Sequence, residues 1–322
     1  MTDYSNTDPG MVQFLDQFYS AELVGFKAIG LENARAMLDA FPDMVDLPAV
    51  EVGSVSEIEV AGAESQLPAR LYMPVVEQAN SPCLVFYHGG GWVMGGLESH
   101  DRLCRRLCKI ANLPVIAIDY RLAPEHAFPA AVDDAQASFQ WIYQNAGQFG
   151  LDKSRLAVGG DSAGGNIAAS IALSLSGSPS GEPAFQLLIY PSLQPLGASP
   201  SHEKYAQGYG LDTADMQFFI SSYVGSANTT SQDQRLWPLL AKSHKNVSPA
   251  YILTGGQDPI QDDGIEYAKV LQASGIPVKH VHYAGMTHGF CSMTALSPDA
   301  LLAVEDAADY LGNALRKLGH DE

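Results

Sequence analysis

The chain has 322 residues, 46% of them hydrophobic and 17% charged, which fits one large domain with an appendage better than two independent domains. Acidic residues outnumber basic ones 36 to 18, so the formal net charge is −18. A surface this negative repels phosphate backbones and anionic lipids, which argues against nucleic acid and against a membrane surface as partners.

The N-terminal segment, residues 1–45, carries apolar residues at helical spacing and shows no strand pattern. After it, short apolar runs alternate with amphipathic stretches of helical length. The predicted strands are Cys83–Tyr87, Val115–Asp119, Leu156–Gly159, Leu187–Tyr190, Tyr251–Thr254 and Val278–Tyr283. The predicted helices are Ser99–Ile110, Ala131–Asn145, Ala163–Ser174, Asp262–Ala273 and Pro298–Lys317. This alternation indicates an α/β fold with a mostly parallel central sheet and helices on both faces.

A second segment, residues 194–246, interrupts the alternation with a stretch rich in Ser, Gln, Tyr and Gly. Neither this segment nor residues 1–45 has the pattern of a strand of the sheet. We therefore expect both to form a helical cap over one end of the sheet. Residues 46–193 and 247–322 are then the catalytic core.

The cysteines and the N-terminus bear on location. Cys83, Cys104, Cys108 and Cys291 form no C-x-x-C and no Cys/His cluster at zinc spacing, so we expect packed thiols and no metal site. The N-terminus lacks the basic and apolar regions of a signal peptide, and no apolar run reaches the length of a membrane span. These features predict a cytoplasmic protein. The oligomeric state, including a homodimer, stays open.

The segment from Gly160 to Gly164 matches G-x-S-x-G, with Ser162 at its centre. The pattern alone is weak, but here a predicted strand precedes it and a predicted helix follows it. A serine at such a sharp turn is exposed above the sheet and needs small neighbours. The alternative is a small-residue crossover without chemistry. The flanking elements favour Ser162 as a nucleophile.

A glycine run, His88-Gly-Gly-Gly-Trp92, follows the first predicted strand directly. Acyl transfer builds negative charge on the carbonyl oxygen, and backbone N–H groups that point at this oxygen stabilise it. Glycines let the backbone come close. A phosphate cradle is the rival interpretation, but neither G-x-G-x-x-G nor a Walker lysine can be placed here. The run therefore predicts an oxyanion hole.

If the turn at Ser162 is that of an α/β-hydrolase, the acid and then the histidine should follow the nucleophile in the chain, each after a late strand. His288 lies on a loop between the strand Val278–Tyr283 and the final helix, where a general base is expected. Asp258, Asp262 and Asp263 compete as the acid. Asp258 comes first after its strand, whereas the other two begin a helix, where aspartates commonly cap. We choose Asp258, with Asp262 as second choice.

Together these motifs resemble the hormone-sensitive-lipase family, the bacterial type IV esterases, in its GDSAG branch. The resemblance implies an eight-stranded α/β-hydrolase core with an N-terminal helical cap, and hydrolysis of carboxylic esters without a cofactor. It runs from about residue 50 to residue 315. The motifs that carry it are HGGGW at 88–92, YRLAPE at 120–125, GDSAGG at 160–165, the DPI-x-DDG loop from 258 and HGF at 288–290.

The resemblance also implies roles for individual residues. The triad is Ser162, Asp258 and His288, and the oxyanion donors are the N–H groups of Gly90, Gly91 and Ala163. Trp92 and Trp237 are predicted to contact substrate, and Trp237 departs from the family pattern. Arg121 and Glu125, which have no evident chemistry, are predicted to form a structural clamp.

These features predict a carboxylesterase whose partner is a small ester with a short to medium acyl chain. An amide or formamide hydrolase with the same triad is the first alternative. The second, from another class, is a non-catalytic module that binds a small ligand. Plant gibberellin receptors resemble this family but lack the catalytic histidine, so the presence of His288 favours an enzyme.

Overall fold

The computed structural model describes residues 2–20, 26–76, 78–225 and 232–319, and the strands within them form one sheet. These strands are β1 (Ser54–Ala61), β2 (Gln66–Met73), β3 (Ser81–Tyr87), β4 (Val115–Ile118), β5 (Leu151–Asp161), β6 (Phe185–Ile189), β7 (Ala250–Gln257) and β8 (Val278–Thr287). Their spatial order is β1-β2-β4-β3-β5-β6-β7-β8.

The sheet is mostly parallel. Every neighbouring pair from β4 to β8 is parallel, whereas β2 runs antiparallel to both β1 and β4. Each predicted strand overlaps one of the strands from β3 to β8. The hairpin of β1 and β2 was not predicted strand by strand, because β1 is an edge strand whose side chains are largely exposed. Polar residues interrupt its sequence, so β1 lacks the continuous apolar run that marks a buried strand.

Helices cover both faces of the sheet, as the sequence predicts. They are α1 (Pro9–Ser20), α2 (Phe26–Ile29), α3 (Leu31–Val45), α4 (Asp101–Ala111), α5 (Ala130–Asn145), α6 (Ala163–Ser174), α7 (Pro200–Lys204), α8 (Thr213–Val224), α9 (Gln261–Ala273) and α10 (Pro298–Leu318). Helices α4 and α10 lie on one face, and α5, α6 and α9 lie on the other. Among the described residues, no helix combines the length and the apolar character needed to cross a bilayer.

The core consists of two apolar layers, one on each side of the sheet. Every residue of β3 is buried, because its alternate side chains enter opposite layers. Leu84 and Phe86 pack in the layer of α4 and α10, whereas Val85 and Tyr87 pack in the layer of α5 and α6. A strand covered on both faces is apolar throughout, and this explains its clear signal in the sequence.

The two segments predicted to form the cap contact each other. The Tyr19 hydroxyl of α1 donates a hydrogen bond to Asp212 at 2.7 Å. The Phe26 N–H donates to Asp215 of α8 at 3.0 Å. The Asp8 N–H, just before α1, donates to the Gly285 carbonyl of β8 at 2.9 Å. The N-terminal helices are thus attached both to the sheet and to the segment around α8.

A buried ion pair anchors the end of α3 to the core. The Asp46 and Arg106 side chains are 1% and 2% exposed, and their charged atoms lie 2.8 Å apart. Asp46 also accepts a hydrogen bond from the Thr294 hydroxyl, on the chain that follows the His288 loop. The Arg106 guanidinium in turn donates to the Leu47 carbonyl at 2.6 Å.

We expect Asp46→Ala to lower the free energy of unfolding by about 3 to 5 kcal/mol, because it leaves the Arg106 charge buried and uncompensated. Urea denaturation measures the change. Glu98→Ala is the control, because Glu98 pairs with Arg70 but its side chain is 71% exposed. This variant should stay within about 1 kcal/mol of the wild type. Equal losses in the two variants would contradict a special cost at Asp46.

Candidate active site

Ser162 occupies the turn between β5 and α6. Its backbone has a φ of 54° and a ψ of −116°, a conformation that is strained for a residue with a Cβ. A Cβ at Gly160 or Gly164 would lie 2.3 Å or 1.9 Å from the Tyr87 carbonyl oxygen, so only glycine fits at either position. The Ser162 N–H donates to the Ile189 carbonyl of β6 at 2.9 Å, which holds the turn against the sheet.

His288 connects this serine to an aspartate. Its Nε2 lies 2.9 Å from Ser162 Oγ, and its Nδ1 lies 2.8 Å from Asp258 Oδ2. Asp258 directly follows β7 and is completely buried, and its other carboxylate oxygen accepts the Ile260 N–H at 2.9 Å. His288 directly follows β8, and the Tyr190 ring packs edge-on against its imidazole. The fold brings the three predicted triad residues together.

The two competing aspartates face a different part of the molecule. Asp262 accepts the Ser201 N–H at 2.9 Å, and Asp263 accepts the Leu193 N–H at 2.7 Å. Both lie in the first turn of α9 and hold the chain segment that leads into α7. Their hydrogen bonds therefore anchor that segment, whereas the carboxylate at His288 belongs to Asp258.

The glycine loop after β3 has its peptide groups fixed in direction. The His88 Nδ1–H donates to the Gly89 carbonyl at 2.8 Å, and the Met94 N–H donates to the Gly90 carbonyl at 2.9 Å. In a trans peptide the C=O and the following N–H point in opposite directions. The N–H groups of Gly90 and Gly91 therefore point away from these donors, and no described residue accepts a hydrogen bond from either.

These two glycines line the same cavity as Ser162 and Ala163. The φ angles of Gly90 and Gly91 are 109° and 64°, in the region that favours glycine. Ala163 is the first residue of α6, where N–H groups have no acceptor within the helix. The three residues predicted to supply oxyanion donors thus line the same cavity as Ser162.

Asp161 joins the glycine loop to the serine turn. Its carboxylate accepts the Gly89 N–H at 2.8 Å and lies 3.1 Å from His100 Nε2. Burial alone would raise the pKa of Asp161, but His100, His88 and the Gly89 N–H stabilise the carboxylate, and the net effect lowers this pKa. Asp161 therefore stays anionic at neutral pH and holds the glycine loop beside Ser162.

The YRLAPE segment supports the same loop. The Tyr120 ring stacks on the His88 imidazole with 4.3 Å between centroids, and the Tyr120 hydroxyl donates to the His88 carbonyl at 2.7 Å. Arg121 pairs with the buried Asp134 at 2.7 Å. Glu125 pairs with Arg35 of α3 at 2.8 Å. Arg121 and Glu125, the two residues predicted to form a structural clamp, thus each form an ion pair with another part of the chain.

A cavity of about 540 Å³ lies above Ser162. Helices line it with aromatic side chains: Phe14 of α1, Phe41 of α3 and Phe219 of α8. Phe219 packs directly on Gly91, where a Cβ would come within 2.4 Å of its ring. No sequence pattern marks these phenylalanines as residues of the cavity. Their segments were recognised, but the side of each helix that faces the cavity depends on long-range packing.

The two tryptophans have different positions. Trp92 lines the cavity and stacks on Tyr223 of α8, with 4.7 Å between ring centroids. Trp237 is 1% exposed, packs edge-on against Trp92 and is not among the side chains that line the cavity. The predicted contact of Trp237 with substrate is therefore corrected to a supporting position behind Trp92.

Comparison with known proteins identifies the family. A family model described as alpha/beta hydrolase fold matches residues 84–292, which is more than half of the chain. The chain belongs to this family. Within the α/β-hydrolases it is 40% identical to the carboxylic ester hydrolase LipN of Mycobacterium tuberculosis, over 82% of this chain and 70% of LipN. It is 33% identical to an ethyl acetate hydrolase of Pseudomonas putida, over 87% and 89% of the two chains.

Solved structures of α/β-hydrolases support the same family assignment. The ester hydrolase EH1AB1 from the Lake Arreo metagenome aligns with a TM-score of 0.90 at 40% identity, over 95% of this chain and 98% of that one. A thermostable esterase from Pseudomonas putida aligns with a TM-score of 0.92 at 29% identity, over 98% and 99%. The predicted membership in the hormone-sensitive-lipase-like esterases is confirmed, and this α/β-hydrolase is a carboxylesterase.

The buried His88 predicts an acid-sensitive fold. Burial lowers the pKa of His88 to about 3, below its ordinary value of 6.5, with a smaller contribution from His100. As the pH falls, His88 therefore binds a proton at a higher pH in the unfolded chain than in the folded one. The stability that is fully present above pH 6.5 is lost as the pH falls towards 3. Between about pH 6 and 4, His88 should add about 1.4 kcal/mol per pH unit to the slope of the unfolding free energy.

Urea denaturation at a series of pH values tests this. His88→Asn keeps a donor that can reach the Gly89 carbonyl but removes the titrating ring. The slope of the unfolding free energy against pH should therefore fall by about 1.4 kcal/mol per pH unit, the contribution of one proton. His280→Asn is a useful comparison, because His280 is only partly buried and its pKa is lowered less. An unchanged slope in His88→Asn would show that other groups cause the acid sensitivity.

Proposed function

We propose that this carboxylesterase hydrolyses water-soluble esters with short to medium acyl chains, with Ser162 as the nucleophile, His288 as the general base and Asp258 as its partner. The observation that carries the proposal is the continuous pair of hydrogen bonds from Ser162 Oγ through the imidazole to the buried Asp258. This arrangement has the geometry that an acyl-transfer triad needs.

The reaction follows from these contacts. His288 Nε2 takes the hydroxyl proton as Ser162 Oγ attacks the ester carbonyl, and the Asp258 carboxylate stabilises the imidazolium that forms. The alcohol leaves with the proton from His288, which generates an acyl-enzyme. Water then attacks the acyl group while His288 takes its proton, and His288 returns that proton to Ser162 Oγ as the bond to the acyl group breaks and the free acid leaves.

The oxyanion that forms in both steps needs donors that are already in place. The N–H groups of Gly90, Gly91 and Ala163 are the candidates, because they line the cavity with Ser162 and have no competing acceptor among the described residues. Donors fixed in direction before the reaction stabilise the developing charge without reorganisation. His88, Asp161 and the turn at residues 90–94 supply that fixation.

The cavity limits the substrate. Aromatic rings line this cavity of about 540 Å³, and we infer that they favour an ester with a short or medium acyl chain over one with a long alkyl chain. We propose that the cap segments, residues 1–45 and 194–246, set this limit, because Phe14 and Phe219 come from them. A small ester is thus the partner that the cavity supports. The cytoplasmic location stays a prediction, and the oligomeric state, including a homodimer, stays open.

Substitution of the triad should abolish turnover without unfolding the protein. We expect Ser162→Ala and His288→Ala each to lower kcat by about three orders of magnitude or more. Asp258→Asn should also be severe, because the amide no longer favours the productive imidazole tautomer. The assay uses p-nitrophenyl butyrate, with circular dichroism to verify folding.

Asp262→Asn is the matched control for the acid. Asp262 sits four residues away, and its contact with the Ser201 N–H can be made by an amide oxygen as well. This variant should keep near wild-type activity. If Asp262→Asn were more damaging than Asp258→Asn, the assignment of the acid would be wrong.

Acyl-chain length tests the size of the cavity. Each CH₂ that is buried should favour binding by about 0.8 kcal/mol until the cavity is full, after which further carbons clash or stay in water. We expect kcat/KM for p-nitrophenyl esters to pass through a maximum between acetate and octanoate and to be low for palmitate. An optimum at palmitate, or a rate increase with emulsified triglyceride above its solubility limit, would contradict this limit on the length of the acyl chain.

A further inference from the structure

An arginine of the cap reaches the loop that carries the oxyanion donors. The Nε–H of Arg35, on α3, donates to the Val93 carbonyl at 2.9 Å. A second guanidinium N–H donates to the Ala123 carbonyl at 3.1 Å, and two donate to the Glu125 carboxylate. The ion pair with Glu125 orients the guanidinium, while its inner edge binds the backbone of the loop.

The Val93 carbonyl is connected to Gly91 through two peptide groups. It shares a peptide with the Met94 N–H, which points the opposite way and donates to the Gly90 carbonyl at 2.9 Å. The Gly90 carbonyl in turn shares a peptide with the Gly91 N–H, which again points the opposite way. A chain of aligned dipoles therefore runs from the Arg35 cation to the Gly91 N–H.

Hydrogen bonds in such a chain polarise one another, because each donor becomes more positive when the carbonyl of its own peptide is bound. A cation at the far end acts in the direction that strengthens the last N–H as a donor. The Arg35 side chain is 30% exposed, so solvent screens its direct field, and the fixed direction of the peptides is the larger effect.

We propose that Arg35 is a positioning residue for catalysis: through the peptides of Val93 and Gly90 it orients and polarises the Gly91 N–H that binds the oxyanion. The inference rests on the proposed function, in which this N–H is an oxyanion donor. It makes the cap part of the catalytic machinery as well as a wall of the cavity.

Arg35→Met tests the proposal with two substrates, p-nitrophenyl butyrate and the thionoester in which sulfur replaces the carbonyl oxygen. Sulfur is the weaker hydrogen-bond acceptor, so the thionoester depends less on the oxyanion donors. We expect kcat for the oxygen ester to fall about tenfold, less than the loss of a whole donor, with KM little changed. The ratio of oxygen-ester to thionoester rates should fall as well.

Arg102→Met is the matched control. Arg102, on α4, also anchors α3, through the Pro42 carbonyl at 2.6 Å and the Asp46 carbonyl at 3.0 Å, but it does not touch the glycine loop. It should lower the melting temperature while leaving the rate ratio unchanged. Glu125→Gln removes the charge of the partner but keeps an amide oxygen that can accept from the guanidinium and hold its orientation. The bond from Arg35 to Val93 should therefore remain, and the ratio should be preserved.

The proposal fails if folded Arg35→Met keeps wild-type kcat, if it slows both substrates by the same factor, or if Arg102→Met lowers the ratio as much. Should Arg35→Met not fold, Arg35→Lys keeps the charge but lacks the Nε–H, and the ratio should fall there too. Ser162→Ala is measured in parallel. Activity that survives in Ser162→Ala would overturn the proposed function, whereas an inactive Ser162→Ala with an unaffected Arg35→Met would overturn this inference alone.

Discussion

The backbone turn at Ser162 is the constraint to which the surrounding structure is fitted. A serine at a φ of 54° requires that the chain leave β5 and enter α6 within one residue, and this brings Gly164 against the Tyr87 carbonyl of β3. The close approach fixes the end of β3, and therefore the start of the glycine loop, relative to the hydroxyl. Asp161, one residue before the serine, then binds the Gly89 N–H. The positions of Ser162 and of the glycine loop beside it are thus set by a single local geometry.

The carbonyls and carboxylates around this turn all have hydrogen-bond donors within the protein. The carbonyls of Gly89 and Gly90 each have a donor, and the carboxylates of Asp161 and Asp258 each accept a backbone N–H as well as facing a histidine. Buried polar groups that are satisfied in this way hold their positions rigidly. The strain at the serine is therefore maintained by several hydrogen bonds at once.

Sequence patterns revealed the parts of the fold that obey local rules. Buried strands such as β3 are apolar throughout, and the serine turn needs glycines at fixed positions, so both were visible without a structure. The hairpin of β1 and β2 was hidden by its exposed polar residues. The partner of Glu125 could not be found, because Arg35 lies 90 residues away in the chain. Trp237 was placed at the cavity by its size, yet tertiary packing puts Trp92 in front of it.

The sheet carries the proposed triad and the helices of the predicted cap carry the cavity rings, and this separation has a consequence for evolution. The residues of the proposed triad follow strands of the sheet, whereas the rings that line the cavity stand on α1, α3 and α8. These helices come from two separate stretches of chain that are joined by hydrogen bonds such as Tyr19 to Asp212. The range of substrates can therefore change through substitutions in these helices while the proposed triad stays intact. A chimaera that exchanges only one of the two stretches would break their shared hydrogen bonds, so the stretches are expected to change together, as a paired module.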